Sequence, residues 1–121
     1  MTTRQNSEGF THDPDCIFCK IITGEIPSNP VWEDECTLVI PDINPMADTH
    51  LLVLPKQHIT DFASVTDPVW FSRIGHAVQQ ASKALGLKDY RLVVNNGAGA
   101  GQTVFHWHTH IMSGNLRSLT H

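Results

Sequence analysis

The sequence predicts an α+β domain with a five-stranded antiparallel sheet, one short helix and one long helix. Three observations carry this. Segments of strand character fall into two groups, 31–55 and 90–112, separated by a single long amphipathic stretch, so helices and strands do not alternate as in a parallel α/β fold. The strand candidates CTLVI and THLLVLP are separated by a short connection that opens with PDINP, whose prolines, Asp42 and Asn44 are turn chemistry. The segment FHWHTHIM alternates histidine with residues that favour extended backbone.

Each element has a local reason. Asp15 is placed to cap a short helix, CIFCKIITG, with Ile17, Phe18, Ile21 and Ile22 on its apolar side and Gly24 as its stop. VWEDE (31–35) and CTLVI (36–40) read as strands, with Cys36 inside the second and in the core. THLLVLP (49–55) is a continuous apolar run of strand length, which predicts cover on both faces. Asp67 caps the long helix, Pro68 takes its first position and Gly86 ends it. Val69, Phe71, Ile74, Ala77, Val78, Ala81 and Leu85 recur at helical spacing. YRLVVN (90–95), the glycine-rich NGAGAG (96–101) and a strand over 103–112 complete the chain.

The bulk numbers bound the function. A chain of 121 residues with 40% apolar and 17% charged content is one ordinary globular domain, here 14–121 behind a polar tail at 1–13 expected to be disordered. Its net charge of −4 argues against nucleic-acid partners, and no apolar run could cross a bilayer. Three cysteines without a secretory leader fit a reducing cytoplasm rather than a disulfide framework.

His106, His108 and His110 occupy i, i+2 and i+4 of the last strand candidate, which sets three imidazoles on one face about 7 Å apart. Side chains at these positions diverge along a strand, so they do not converge on one tetrahedral metal ion. Acid–base or nucleophilic chemistry at phosphorus or an acyl centre suits neutral imidazole at pH 7. The glycine run upstream offers unhindered N–H groups for oxyanions, and Gln102 and Thr103 add side-chain donors.

GQTVFHWHTHIM resembles the signature of the histidine triad (HIT) family, and CIFCKIITGEIPS, VWEDE, PDINPMADTHLLVLPKQHI and RLVVNNGAGAGQTV resemble its Hint-type branch in the right order, over roughly residues 14–112. The resemblance implies a histidine triad fold that dimerises into a continuous sheet. It implies that His108 attacks the α-phosphorus of a purine nucleotide and that water hydrolyses the nucleotidyl-histidine. His110 then touches the phosphate and passes a proton to the leaving group, His50 supports that relay, and His106 completes the catalytic row. Gly101, Gln102, Thr103 and Asn95 match phosphate and leaving-group contacts. Asp42 matches the ribose carboxylate, against the plainer reading of an aspartate capping its own turn. Ile17, Phe18, Ile21 and Ile43 match the purine slot.

Cys16 and Cys19 read, from spacing alone, as two core residues, a redox pair or half a metal site. Prokaryotic members of the family with such a pair carry structural zinc, which implies Cys16, Cys19, His58 and His106 as ligands, with His50 the alternative to His58, and no organic cofactor. His12 and His121 are tail bystanders, His76 is a surface or interface residue on the long helix, and Trp70 is a candidate for a subunit interface. The sequence after the triad, MSGNLRSLTH, departs from the family's Gly-Gly-Arg ending.

The expected activity is hydrolysis of purine nucleoside phosphoramidates or aminoacyl adenylates by a cytoplasmic homodimer. The alternatives are a dinucleoside polyphosphate hydrolase and, from another class, a non-catalytic nucleotide-binding interaction module.

Overall fold

A computed structural model describes residues 9–116. The chain runs α1 (Ile17–Ile22), β1 (Trp32–Glu33), β2 (Thr37–Pro41), β3 (Thr49–Pro55), α2 (Val69–Ala84), β4 (Arg91–Val93) and β5 (Thr109–Ser113), with 3₁₀ turns at Phe62–Ser64 and Ala98–Ala100. The strands form one antiparallel sheet in the order β1-β2-β3-β5-β4.

The continuous apolar run of β3 makes it the centre of the sheet, where Leu51, Leu52, Val53 and Leu54 are all buried. Period-two alternation sorts them. Leu51 and Val53 join Val39, Ile111, Trp107 and the α2 residues Trp70, Ile74, Ala77, Val78 and Ala81 in one core. Leu52 and Leu54 join Leu38, Ile40, Phe18, Cys19 and Ile22 beneath α1 in the other. Each fully buried aliphatic or aromatic side chain contributes about 1.5–3 kcal/mol over an exposed one, so two covered faces hold this small sheet together. Lys56, with no exposed surface, meets Glu33 at 2.7 Å and pins the end of β3 to β1.

Several boundaries differ from the sequence reading. Strand 31–35 shrinks to Trp32–Glu33, because Asp34 Oδ1 accepts from the Cys36 and Thr37 N–H groups and turns the chain. Cys36 therefore lies in that turn, half-buried, rather than within β2. The long helix starts one residue later than expected, with Pro68 in the cap position, while the Asp67 carboxylate just before it accepts from the Val69 N–H at 3.0 Å. The cap of α1 is Cys16 instead of Asp15: its sulfur accepts from the Cys19 N–H at 3.3 Å. Trp70 is buried under Phe10 and the Arg73 guanidinium, so it is core of its own chain and not a free interface residue. The histidine strand begins only at Thr109, because the Trp107 N–H turns to the Ile59 carbonyl, at 2.6 Å, ahead of the ladder with β4.

Among the described residues, no helix is long and apolar enough to cross a membrane. The predicted bystander His121 lies outside the described residues.

Candidate active site and metal centre

The last ribbon of the chain feeds two clusters on the α1 side of the sheet. Trp107 turns to the α2 core, which sends its neighbours His106 and His108 to the opposite side. His106 goes deep. It has no exposed surface, its Nε2–H donates to the Pro55 carbonyl at 2.8 Å, and its Nδ1 lies 3.4 Å from Cys16 Sγ and 3.5 Å from Cys19 Sγ. His58, just beyond β3, brings its Nδ1 to 3.3 Å from Cys19 Sγ. The four ligand atoms of Cys16, Cys19, His58 and His106 all lie within 4.8 Å of one another.

Tetrahedral zinc with ordinary Zn–S and Zn–N lengths would separate sulfur from nitrogen by about 3.6 Å, so these spacings fit such an ion. The donor chemistry fits as well. The Pro55 carbonyl fixes the His106 tautomer so that Nδ1 offers its lone pair, the outer-shell arrangement usual for a histidine ligand. Without a cation, burial pushes the Cys19 thiol up to about 12. His50, the alternative fourth ligand, is elsewhere.

His50 belongs to the second cluster. Its Nδ1 accepts from the Met46 N–H at 2.9 Å, so its proton sits on Nε2, which donates to His110 Nδ1 at 2.8 Å with Asp42 Oδ2 at 3.3 Å. His110 in turn carries its proton on Nε2. Burial, with His108 and His50 adjacent, holds its pKa down to about 4 against the pull of Asp42. His108 is set by one bond: its Nδ1–H donates to the His106 carbonyl at 2.7 Å, which leaves Nε2 as a free lone pair. Burial lowers its pKa, opposed by that hydrogen bond and by Asp42. Neutral imidazoles with fixed tautomers are what nucleophilic and proton-transfer chemistry requires. The His108 and His110 ring centres are 5.1 Å apart, closer than an ideal strand spacing, because only His110 sits on the regular strand. Phe18 stands edge-on to both His106 and His108, at 5.9 and 5.2 Å.

The remaining expected residues divide. Asp42 caps its own turn, Oδ1 accepting from the Asn44 N–H at 2.8 Å, and it turns Oδ2 toward His50 at 3.3 Å, a contact the sequence reading did not foresee. Phe18 is buried and Ile21 packs against the α1-side core, whereas Ile17 is half exposed and Ile43 projects with 91% of its surface free. Asn95 is half-buried just after β4. Thr103 is exposed and lines a cavity of about 330 Å³ with Cys16, Ile17, His58 and Phe105. Gln102 is turned inward. Its Oε1 accepts from the Gly97 N–H at 2.7 Å, and its Nε2 donates to the Thr60 and Val104 carbonyls at 2.8 and 3.1 Å. It braces the glycine loop, in which Gly97 and Gly101 adopt φ +89° and +98°, a left-handed backbone that side chains resist.

Sequence reasoning had no sign of the Met46 N–H or the Pro55 carbonyl, since any residue supplies those atoms. It also took His12 for a tail bystander, whereas its Nε2 is buried and the residue lines a cavity with Cys19. A cavity of about 540 Å³ lies on the α2 side, near Trp70 and Arg73, and holds none of Asp42, His50, His108 or His110. The imidazole geometry, not that cavity, locates the chemistry.

Fold and site together define an α+β protein with a histidine relay beside a cysteine–histidine ligand set. The chain belongs to the HIT domain family, whose model matches residues 23–116. It is similar to a HIT family hydrolase from Legionella pneumophila Philadelphia 1, 42% identical with TM-score 0.79 over 88% of this chain and 96% of that one. A histidine triad protein from Clostridium difficile is 37% identical, with TM-score 0.84 over 92% of this chain and 98% of that one. Adenylylsulfatase HINT3 of Arabidopsis thaliana is 40% identical over 108 residues, which are 87% of this chain but 55% of that protein. These relatives place the chain among hydrolases.

Proposed function

We propose that this hydrolase cleaves purine nucleoside phosphoramidates or aminoacyl adenylates to the nucleoside monophosphate. His108 Nε2 attacks the α-phosphorus, the bond to the leaving group breaks, and water then cleaves the nucleotidyl-histidine. The observation that carries this reading is the 2.7 Å bond from His108 Nδ1–H to the His106 carbonyl, which keeps Nε2 unprotonated. His110 Nε2–H supplies the proton that an amine needs in order to leave and recovers it from the water that cleaves the nucleotidyl-histidine, while the His50 Nε2–H bond to Nδ1, with Asp42 beside it, holds that tautomer. In the loop at 97–101, braced by Gln102, the N–H groups of Gly97, Ala100 and Gly101 donate internally, which leaves Ala98 and Gly99 to offer theirs to the phosphate; losing one such donor typically costs about 3–4 kcal/mol of transition-state stabilisation. Phe18, Ile17, Ile21 and Ile43 hold the purine.

Turnover of an adenosine phosphoramidate, diadenosine polyphosphate and adenylyl sulfate, side by side, tests the substrate class; the HINT3 relative brings the last of these into the panel. Trapping a nucleotidyl group on His108 is the expected outcome for the mechanism, and binding of AMP with no turnover of any substrate would overturn it.

The ligand set is assigned to structural zinc, held by Cys16, Cys19, His58 and His106. When bound, the ion would tie α1 to the end of β3 and to the ribbon carrying the nucleophile. The working form is a cytoplasmic homodimer. Support comes from the edge strand β4 and its flanks, where Leu92 is 50% exposed beside Tyr90 and Val94, and from the exposed rings of Phe62 and Phe71. Sedimentation checks it.

A further inference from the structure

We propose that His12 is the loading ligand of the metal centre, the donor through which an incoming divalent ion passes on its way to the four buried ones. This rests on the metal assignment above.

The segment before α1 is strapped across the cluster. The Thr11 carbonyl accepts from the His58 N–H at 2.8 Å, and the Thr11 N–H donates to Gln57 Oε1 at 3.0 Å. Two residues on, the Asp13 N–H donates to Cys19 Sγ at 3.4 Å and the Asp13 carbonyl accepts from the Cys16 N–H at 3.1 Å. His12 is thus held between a residue bonded to His58 and one bonded to both cysteines. Its Nε2 is buried and has no hydrogen-bond partner. Buried imidazole nitrogens are rarely left so, and with the ring proton on Nδ1 this Nε2 offers a lone pair to a cation.

His12 is not itself one of the four atoms within 4.8 Å of each other. It stands outside a closed tetrahedron, so it can act only while an ion is arriving or departing. The route is narrow. Cys16, Cys19 and His106 are buried, and His58 alone of the four is partly exposed. A cavity of about 200 Å³ reaches Cys19 from outside, and His12 lines it with the carboxylates of Asp13 and Glu25, which favour a cation, and with Lys20, which opposes one. The family model begins at residue 23, so it does not include His12.

The test uses the full chain with Co²⁺, whose thiolate charge-transfer band and visible spectrum report the coordination shell. Loading is followed by mixing with the ion and release by transfer to excess chelator, for wild type, His12→Ala and His12→Asp. The expected result is an unchanged spectrum and stoichiometry in His12→Ala, with loading and release both slowed by about tenfold, the lower end of what residues around a metal shell contribute. Because both rates fall together, affinity is unchanged. His12→Asp, which keeps a donor, recovers most of the rate. Equal rates in wild type and His12→Ala would overturn the proposal, as would a changed spectrum with weakened affinity, which would make His12 a member of the shell. A wild type that shows no thiolate band on titration with Co²⁺ would sink the metal assignment itself, an outcome separate from either of these.

Discussion

Replacing Gln102 by alanine separates two roles for its amide, bracing the loop or touching the substrate. The side chain is 3% exposed and makes three hydrogen bonds, to the Gly97 N–H and to the Thr60 and Val104 carbonyls. Each such bond contributes about 0.5–1.5 kcal/mol net, so Gln102→Ala is expected to cost about 3 kcal/mol of folding stability. For a domain of this size the thermal midpoint should fall on the order of 10 °C. Gln102→Glu keeps the acceptor for Gly97 but sets a carboxylate against two carbonyl oxygens, so it should be at least as damaging. Urea denaturation, read at two wavelengths to confirm a two-state transition, gives the difference directly. If Gln102→Ala lost less than about 1 kcal/mol while turnover fell a hundredfold, the bracing argument would be wrong and the amide would belong to the substrate.

Three further outcomes follow from the same geometry. His108→Ala should lower turnover by on the order of 10⁴ or more, since no other group can form the covalent bond, while leaving the folded structure intact by circular dichroism. Adding zinc to the metal-free protein at pH 7 should release at least one proton per ion in weakly buffered solution, because burial keeps the Cys19 thiol protonated up to about 12 until a cation arrives; Cys19→Ser should abolish stoichiometric uptake. For His110 the folded pKa, about 4, lies below the ordinary value of 6.5, so between those values the unfolded chain binds more protons and stability falls as pH falls. The contribution is complete above 6.5. The groups facing that ring are His108, His50 and Asp42, and His110→Asn should flatten the acid limb of the stability curve measured by urea melts; an unchanged slope would contradict a neutral His110.

Much of this arrangement could be read from residue order. The apolar run THLLVLP announced a central strand, and the α2 face from Val69 to Leu85 announced a helix packed on one side of a sheet. The pairing of Cys16 and Cys19 with His58 was inferred from a resemblance, and the geometry brings those donors together. Boundaries were least legible where side chains compete with the backbone. Asp34 truncates β1 by capping two N–H groups, and Cys16 takes the cap of α1 from Asp15 because its sulfur already faces inward. Backbone contributors were invisible, for the carbonyls of Pro55 and His106 orient two imidazoles without any residue-type signature. The setting of His12 escaped for a related reason: its place depends on bonds made by Thr11 and Asp13, not on its own spacing.

Trp107 sits between the two inward histidines in sequence yet on the far side of the sheet, wedged against Phe71 and Phe62. The indole works as a keel. Its seat behind the strands and the seats of the imidazoles on either side share one short stretch of backbone, so a methyl group gained or lost in the tightly packed helix-side core is expected to shift His106 and His108 without any substitution near them.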